Sequence, residues 1–169
     1  MKAEVHWLEG LFDGRRLAIM PRPRGGDWLE GEIRSLKDQG VNVLVSMLTA
    51  EENEELGLIE EPAAARAALM TFVSLPVEDR SIPPDDDAIL RLADRLLGYL
   101  RRRLGVAVHC RAGIGRSAML VACVLMKMGT TADQAIDLVA AARGCRVPDK
   151  DEQRHWIERI HRQGEDELG

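Results

Sequence analysis

Apolar and polar positions along the chain follow two rhythms. Short apolar runs bounded by turn residues fall at Val5–Leu8, Arg16–Met20, Val41–Val45, Thr71–Val77 and Val106–His109, and each predicts a strand. Phe12-Asp13-Gly14 is the turn between the first two, and PRPRGG at 21–26 is a Pro/Gly loop. Trp28, Leu29, Ile33 and Leu36 recur at helical spacing. They predict a helix that Asp27 caps and that runs through Gln39, with Glu30, Glu32 and Arg34 turned to water. Gly31 weakens this helix and Gly40 ends it.

Residues 50–69 form an acidic helical patch that Pro62 breaks, and Glu51, Glu52, Glu54, Glu55, Glu60 and Glu61 read as a solvated face. A long amphipathic helix is predicted from Asp85 to Arg103. Its three aspartates at one end and three arginines at the other match the helix dipole. Further helices are expected at Gly115–Met128, Thr131–Arg143 and Lys150–Gln163. No segment repeats, and no linker is long enough to divide the chain. Strands alternating with helices predict an α/β fold, one domain over residues 1–169. Its centre is a mostly parallel twisted sheet of about five strands with helices on both faces.

Composition narrows this little. Apolar residues at 46% and charged residues at 30% suit a soluble globular protein. The longest apolar run is too short to span a bilayer, and the charged start MKAEVHWLEG does not read as an export signal. A net charge of −5 gives no basic field for nucleic acid. Three cysteines without paired spacing argue against a disulfide framework and for a reducing, cytoplasmic setting.

One stretch changes the picture. VAVHCRAGIGRSAM, residues 106–119, passes from strand to helix through Cys110 and two glycines. Ligands of open α/β sheets bind beyond the carboxyl ends of the strands, and Cys110 sits at such an end. Gly113 and Gly115 can take backbone angles closed to other residues, so that successive N–H groups point inward. Such a nest at a helix start suits phosphate or sulfate. Arg116 adds a planar clamp for two oxygens. The same positive surroundings hold Cys110 as a thiolate, the nucleophilic form.

His109-Cys110-Arg111-Ala112-Gly113-Ile114-Gly115-Arg116-Ser117 resembles the Cys-x5-Arg signature of the protein tyrosine phosphatases. The short chain is similar to the compact dual-specificity type, and the strand–loop–helix order agrees over roughly residues 40–145. The resemblance implies that Cys110 forms a phosphocysteine and that residues 111–116 cradle the phosphate. Arg116 then binds substrate and transition state. Ser117 donates to the sulfur as it departs, and His109 braces the loop without proton transfer. It also implies chemistry without a metal or cofactor.

The leaving oxygen needs a proton from a carboxylic acid on a nearby mobile loop. The loop after strand 71–77 is the expected place, because a neighbouring parallel strand ends beside the Cys110 strand. Glu78, Asp79 and Asp85 compete there. Asp79 is favoured, because compact family members carry an Asp at this point, ahead of a Pro-containing loop. The Trp-Pro-Asp triplet of the tyrosine-specific enzymes is absent, so this assignment rests on position; an ordinary turn aspartate is the alternative. Asp85 reads better as a helix cap.

Gln153 is a candidate to orient the hydrolytic water, against the reading of a solvent-facing helical glutamine. Arg80 and Arg111 either flank the substrate or lie solvated on the surface. Cys145 is a candidate redox partner for Cys110, and Cys123 reads as core. Loop 21–26 and segment 50–69 are candidate pocket walls.

The expectation is a monomeric, cytoplasmic, cysteine-dependent phosphatase. Its substrates are phosphotyrosine, with phosphoserine and phosphothreonine as further candidates, on a phosphoprotein or phosphopeptide, with no nucleic acid or membrane as partner. Two alternatives stay open. One is a phosphoinositide or small phosphate ester as substrate, for which Arg111 fits the basic loops of lipid phosphatases while Ile114 and the acidic chain do not. The other is a non-catalytic phosphoprotein-binding module.

Overall fold

The apolar runs assemble into a five-stranded sheet. The computed structural model describes residues 2–168. Strands β1 (His6–Trp7), β2 (Leu17–Met20), β3 (Val43–Ser46), β4 (Thr71–Ser74) and β5 (Val106–His109) lie in the order β1-β2-β5-β3-β4. β2, β5, β3 and β4 are parallel, and β1 is an antiparallel edge. The helices are α1 (Leu29–Asp38), α2 (Ala50–Glu55), α3 (Glu61–Ala67), α4 (Asp86–Arg101), α5 (Arg116–Lys127), α6 (Ala132–Arg143) and α7 (Asp151–Leu168).

Alternation along the strands divides the core into two layers. Leu17, Ile19, Val43, Val45, Val106 and Val108 face α4–α7, whereas Ala18, Met20, Leu44 and Ala107 face α1 and α3. Helix α5 is buried on all sides from Arg116 to Leu125, and so becomes the centre of the thicker layer. β5 lies between β2 and β3, which places its carboxyl end at the middle of the sheet edge where such folds bind ligands.

Several local expectations are corrected. Asp27 does not cap α1: it lies in a 3-10 turn, and the N-cap residue Trp28 makes no side-chain cap bond. Trp28 leaves the buried face and is 58% exposed, with the Arg24 guanidinium over its ring at 4.4 Å. Glu32 is buried rather than solvated, because it accepts from the Arg24 backbone N–H and Nε, both at 2.9 Å. Pro62 does not break a helix but opens α3, where its missing N–H costs nothing. In the acidic run, Glu52 and Glu61 are buried while Glu51, Glu54, Glu55 and Glu60 face out at least in part. Asp85 does cap α4, accepting from the Ala88 N–H at 3.2 Å.

Candidate active site

Cys110 follows the last residue of β5 and Arg116 begins α5, so the loop 110–116 is strung between the sheet edge and a buried helix. Gly113 is the position that needs glycine. Its φ is +72°, and a Cβ there would meet the Met20 carbonyl oxygen at 2.4 Å. Gly115 departs from expectation: its φ of −114° is open to other residues. Its missing side chain instead leaves room for Gln153, whose amide would lie 3.0 Å from a Cβ.

The Cys110 sulfur lies 3.1 Å from Ser117 Oγ and is nearly inaccessible. Burial by itself pushes the thiol pKa up. The Ser117 hydroxyl and backbone N–H, the Arg116 charge and the Gly113 N–H outweigh burial and hold the pKa below its ordinary value. Cys123, buried in α5 without such donors, is pushed up to about 12 by desolvation. Cys145 is exposed in the turn after α6, and its thiol is free.

Arg116 is buried, and its charge is met from several elements. Nη1 and Nη2 donate to the two carboxylate oxygens of Glu52 at 2.6 and 2.9 Å. Nη1 also reaches the Val77 carbonyl at 2.8 Å, and Nη2 lies 3.1 Å from Asp79 Oδ1. Glu52 is at the same time the partner in a capping box with Thr49, so the start of α2 fixes its direction. Desolvation works to raise the Glu52 pKa, but its bonds to Arg116 and Thr49 win and hold it below the ordinary carboxylate range.

Beneath the loop, His109 is fully buried. Its Nε2 lies 2.6 Å from Glu61 Oε1 and its Nδ1 lies 3.0 Å from the Cys110 carbonyl. The Cys110 carbonyl can only accept, so Nδ1 carries a proton, and an ionised Glu61 draws a second proton to Nε2. Burial disfavours that charge, yet Glu61 overrides it and the His109 pKa is raised.

Above Cys110 opens a pocket of about 230 Å³ whose lining includes Asp79, Arg80, Arg111, Asp149 and Gln153. Among the three candidate acids, Asp79 lines it, whereas Asp85 caps α4 and Glu78 is exposed away from the pocket lining. β4 is not adjacent to β5, since β3 lies between them; the loop after β4 crosses over to reach Arg116. Gln153 is buried rather than solvent-facing. Its Nε2 donates to the Ser81 carbonyl at 3.2 Å, while its Oε1 has no partner. Arg111 is partly exposed and paired with Glu55 at 2.9 Å. Neither loop 21–26 nor segment 50–69 lines the pocket; they support the loop from outside, through Arg22 and Glu52.

Sequence reasoning missed Glu52, Glu61 and Arg143. Thr49-x-x-Glu52 carried a readable capping signal. Nothing local marked the other two.

Comparisons with known proteins bear on the family and the fold. PRL-1 phosphatase of Drosophila melanogaster is 25% identical over 138 residues, 78% of this chain and 70% of that protein. Protein tyrosine phosphatase domain-containing protein 1 of Mus musculus is 30% identical over 120 residues, 66% of this chain. The match spans only 16% of the mouse protein's length. Among solved structures, a kinase-associated phosphatase with serine in place of its catalytic-site cysteine superimposes with a TM-score of 0.88 at 17% identity, covering 96% of both chains. PTPMT1 in complex with PI(5)P gives 0.75 at 20% identity, covering 90% of this chain and 94% of that one. The family model described as "Polymorphic toxin system, DSP-PTPase phosphatase" matches residues 18–130, more than half of the sequence. This chain therefore belongs to the dual-specificity type of protein tyrosine phosphatase.

Proposed function

We propose that residues 1–169 form one catalytic domain that hydrolyses phosphate monoesters on phosphotyrosine of proteins, with phosphoserine or phosphothreonine as further substrates, through a phosphocysteine. The observation that carries this reading is the meeting of three groups at one pocket. The sulfur of Cys110 lies at its floor, Arg116 is locked by Glu52 at its side, and the Asp79 carboxylate is 3.1 Å from that guanidinium.

In the first step the Cys110 thiolate forms a bond to phosphorus as the bond to the ester oxygen breaks. Asp79, as the carboxylic acid, gives its proton to the leaving oxygen. The inward N–H groups of the loop and Arg116 hold the equatorial oxygens. In the second step water attacks phosphorus, Asp79 takes its proton, and the P–S bond breaks with the electron pair returning to sulfur. The unpartnered Oε1 of Gln153 accepts a hydrogen bond from that water, and the Ser117 hydroxyl supports the departing thiolate. No step needs a metal. The setting is cytoplasmic and the working unit a monomer; no helix among the described residues is long and apolar enough to cross a membrane.

A phosphoinositide or small phosphate ester is the second reading. A structural neighbour was solved with PI(5)P, and Arg80, Arg111 and Arg116 all line the pocket. Against it, Glu55 and Glu52 already partner Arg111 and Arg116, which leaves little uncompensated charge for a polyanion. Retention of both Cys110 and Arg116 favours an enzyme over a binding module.

The test is a rate comparison of wild type and Asp79→Asn on phosphotyrosine peptide, phosphothreonine peptide and phosphoinositide. The expected order puts phosphotyrosine first. Asp79→Asn slows the first step by about 100-fold, the scale of general-acid catalysis, while phosphate still binds. A faster phosphoinositide rate would install the second reading, and a wild-type rate in Asp79→Asn would remove Asp79 from the mechanism.

A further inference from the structure

The loop that faces the pocket has a second side. Every carbonyl from Cys110 to Gly113 is held there by a donor. His109 Nδ1 donates to the Cys110 carbonyl at 3.0 Å, and the Arg22 backbone N–H donates to the Arg111 carbonyl at 3.1 Å. The last two belong to one side chain. Arg143 Nη2 donates to the Ala112 carbonyl at 3.1 Å, and Arg143 Nε donates to the Gly113 carbonyl at 3.3 Å.

In a trans peptide the C=O and the following N–H point in opposite directions. Fixing the Ala112 and Gly113 carbonyls outward therefore turns the N–H groups of Gly113 and Ile114 toward the anion. The Gly113 N–H is among the groups that hold the Cys110 pKa down, as that orientation requires. Arg143 is well placed to impose this. It ends α6, its side chain is only 18% exposed, and Glu4 Oε1 lies 3.6 Å from its third nitrogen on the N-terminal arm.

We infer that Arg143 is a positioning residue of the phosphate cradle, setting the two peptide planes that aim the Gly113 and Ile114 N–H groups at the bound oxyanion. This rests on reading residues 110–116 as the phosphate site. Arg143 touches neither substrate nor sulfur. The planar fork matters because its nitrogens reach both carbonyls at once, whereas a lysine ammonium on a flexible stem satisfies one at a time.

Inhibition by orthovanadate, melting temperature and the pH midpoint of Cys110 alkylation are measured for wild type, Arg143→Lys, Arg143→Met and Arg146→Met. Arg146 is an exposed neighbour paired with Asp151 and serves as the control. Arg143→Met is expected to weaken vanadate about tenfold, the scale of one or two lost hydrogen bonds to a charged group, with Arg143→Lys between it and wild type. The alkylation midpoint rises in the same order as the Gly113 N–H turns away from sulfur. A purely structural arginine would lower the melting temperature and leave the midpoint in place. Wild-type vanadate affinity and midpoint in Arg143→Met overturn the inference. Should that variant not fold, the same wild-type values in Arg143→Lys overturn it. A wild type that binds no vanadate overturns the phosphate reading itself, and this inference with it.

Discussion

Arg116 carries a permanent charge at a position only 1% exposed, and such a charge is tolerated only where anions and carbonyls meet it. Glu52 is the main answer, through two short bonds in fork geometry. Replacing Glu52 by Gln leaves the guanidinium buried without its paired charge. The expected loss is about 3 kcal/mol of stability by urea denaturation, the scale of a broken buried pair. Catalytic efficiency falls about 100-fold as well, since a clamp displaced by about an ångström no longer meets the phosphate. Glu54→Gln, from the exposed part of the same helix, should stay within about 0.5 kcal/mol of wild type. Equal effects from the two substitutions would refute a special place for Glu52. In the sequence only the Thr49-x-x-Glu52 capping spacing sets Glu52 apart, and a run of glutamates does not show which one turns toward Arg116.

At the scale of elements, two joints hold the loop in its frame. Helix α7 is tied to α4 through Asp86, which accepts from Trp156 Nε1 at 2.9 Å and from Arg159 at 2.8 Å. That tie brings the first turn of α7, and with it Gln153, over the pocket. Helix α3 is tied to β5 by Glu61 and His109. This second joint depends on pH. The His109 pKa in the folded chain lies above the ordinary 6.5, against the pull of burial, because Glu61 stabilises the imidazolium. Its contribution to stability is complete below pH 6.5 and fades as pH rises through the raised value. Cys110 works in the opposite direction: its lowered pKa adds stability toward alkaline pH and loses it as pH falls through the lowered value. The comparison is therefore made in a Cys110→Ser background. There, the melting-temperature advantage of His109 over His109→Gln should shrink as pH rises from below 6.5 into the alkaline range. An advantage that stays constant with pH would mean that the ring is not charged.

For the molecule as a whole, what was legible in the sequence is what is local. The strand, the loop and the start of α5 are contiguous, so Cys110 and Arg116 could be read together from the sequence, and Ser117 followed from the family resemblance. The parallel sheet and its two helical faces followed from the alternation of apolar runs. Glu52, Glu61 and Arg143 reach the loop from 64, 48 and 30 or 31 positions away, and no periodicity records such meetings. The position of Asp79 was anticipated, but its route was not, because β3 intervenes between β4 and β5. A net charge of −5 likewise conceals a pocket lined by three arginines, since carboxylates partner two of them. All of these supports converge on one sulfur, and the direct test is whether phosphate becomes attached to it. Wild type and Cys110→Ser are mixed with radiolabelled phosphotyrosine peptide, quenched in acid within the first turnover and mapped by peptide mass spectrometry. The account predicts label on the wild-type peptide that contains Cys110, and neither label nor turnover in Cys110→Ser. Turnover in wild type with no labelled cysteine, or undiminished turnover in Cys110→Ser, would contradict it.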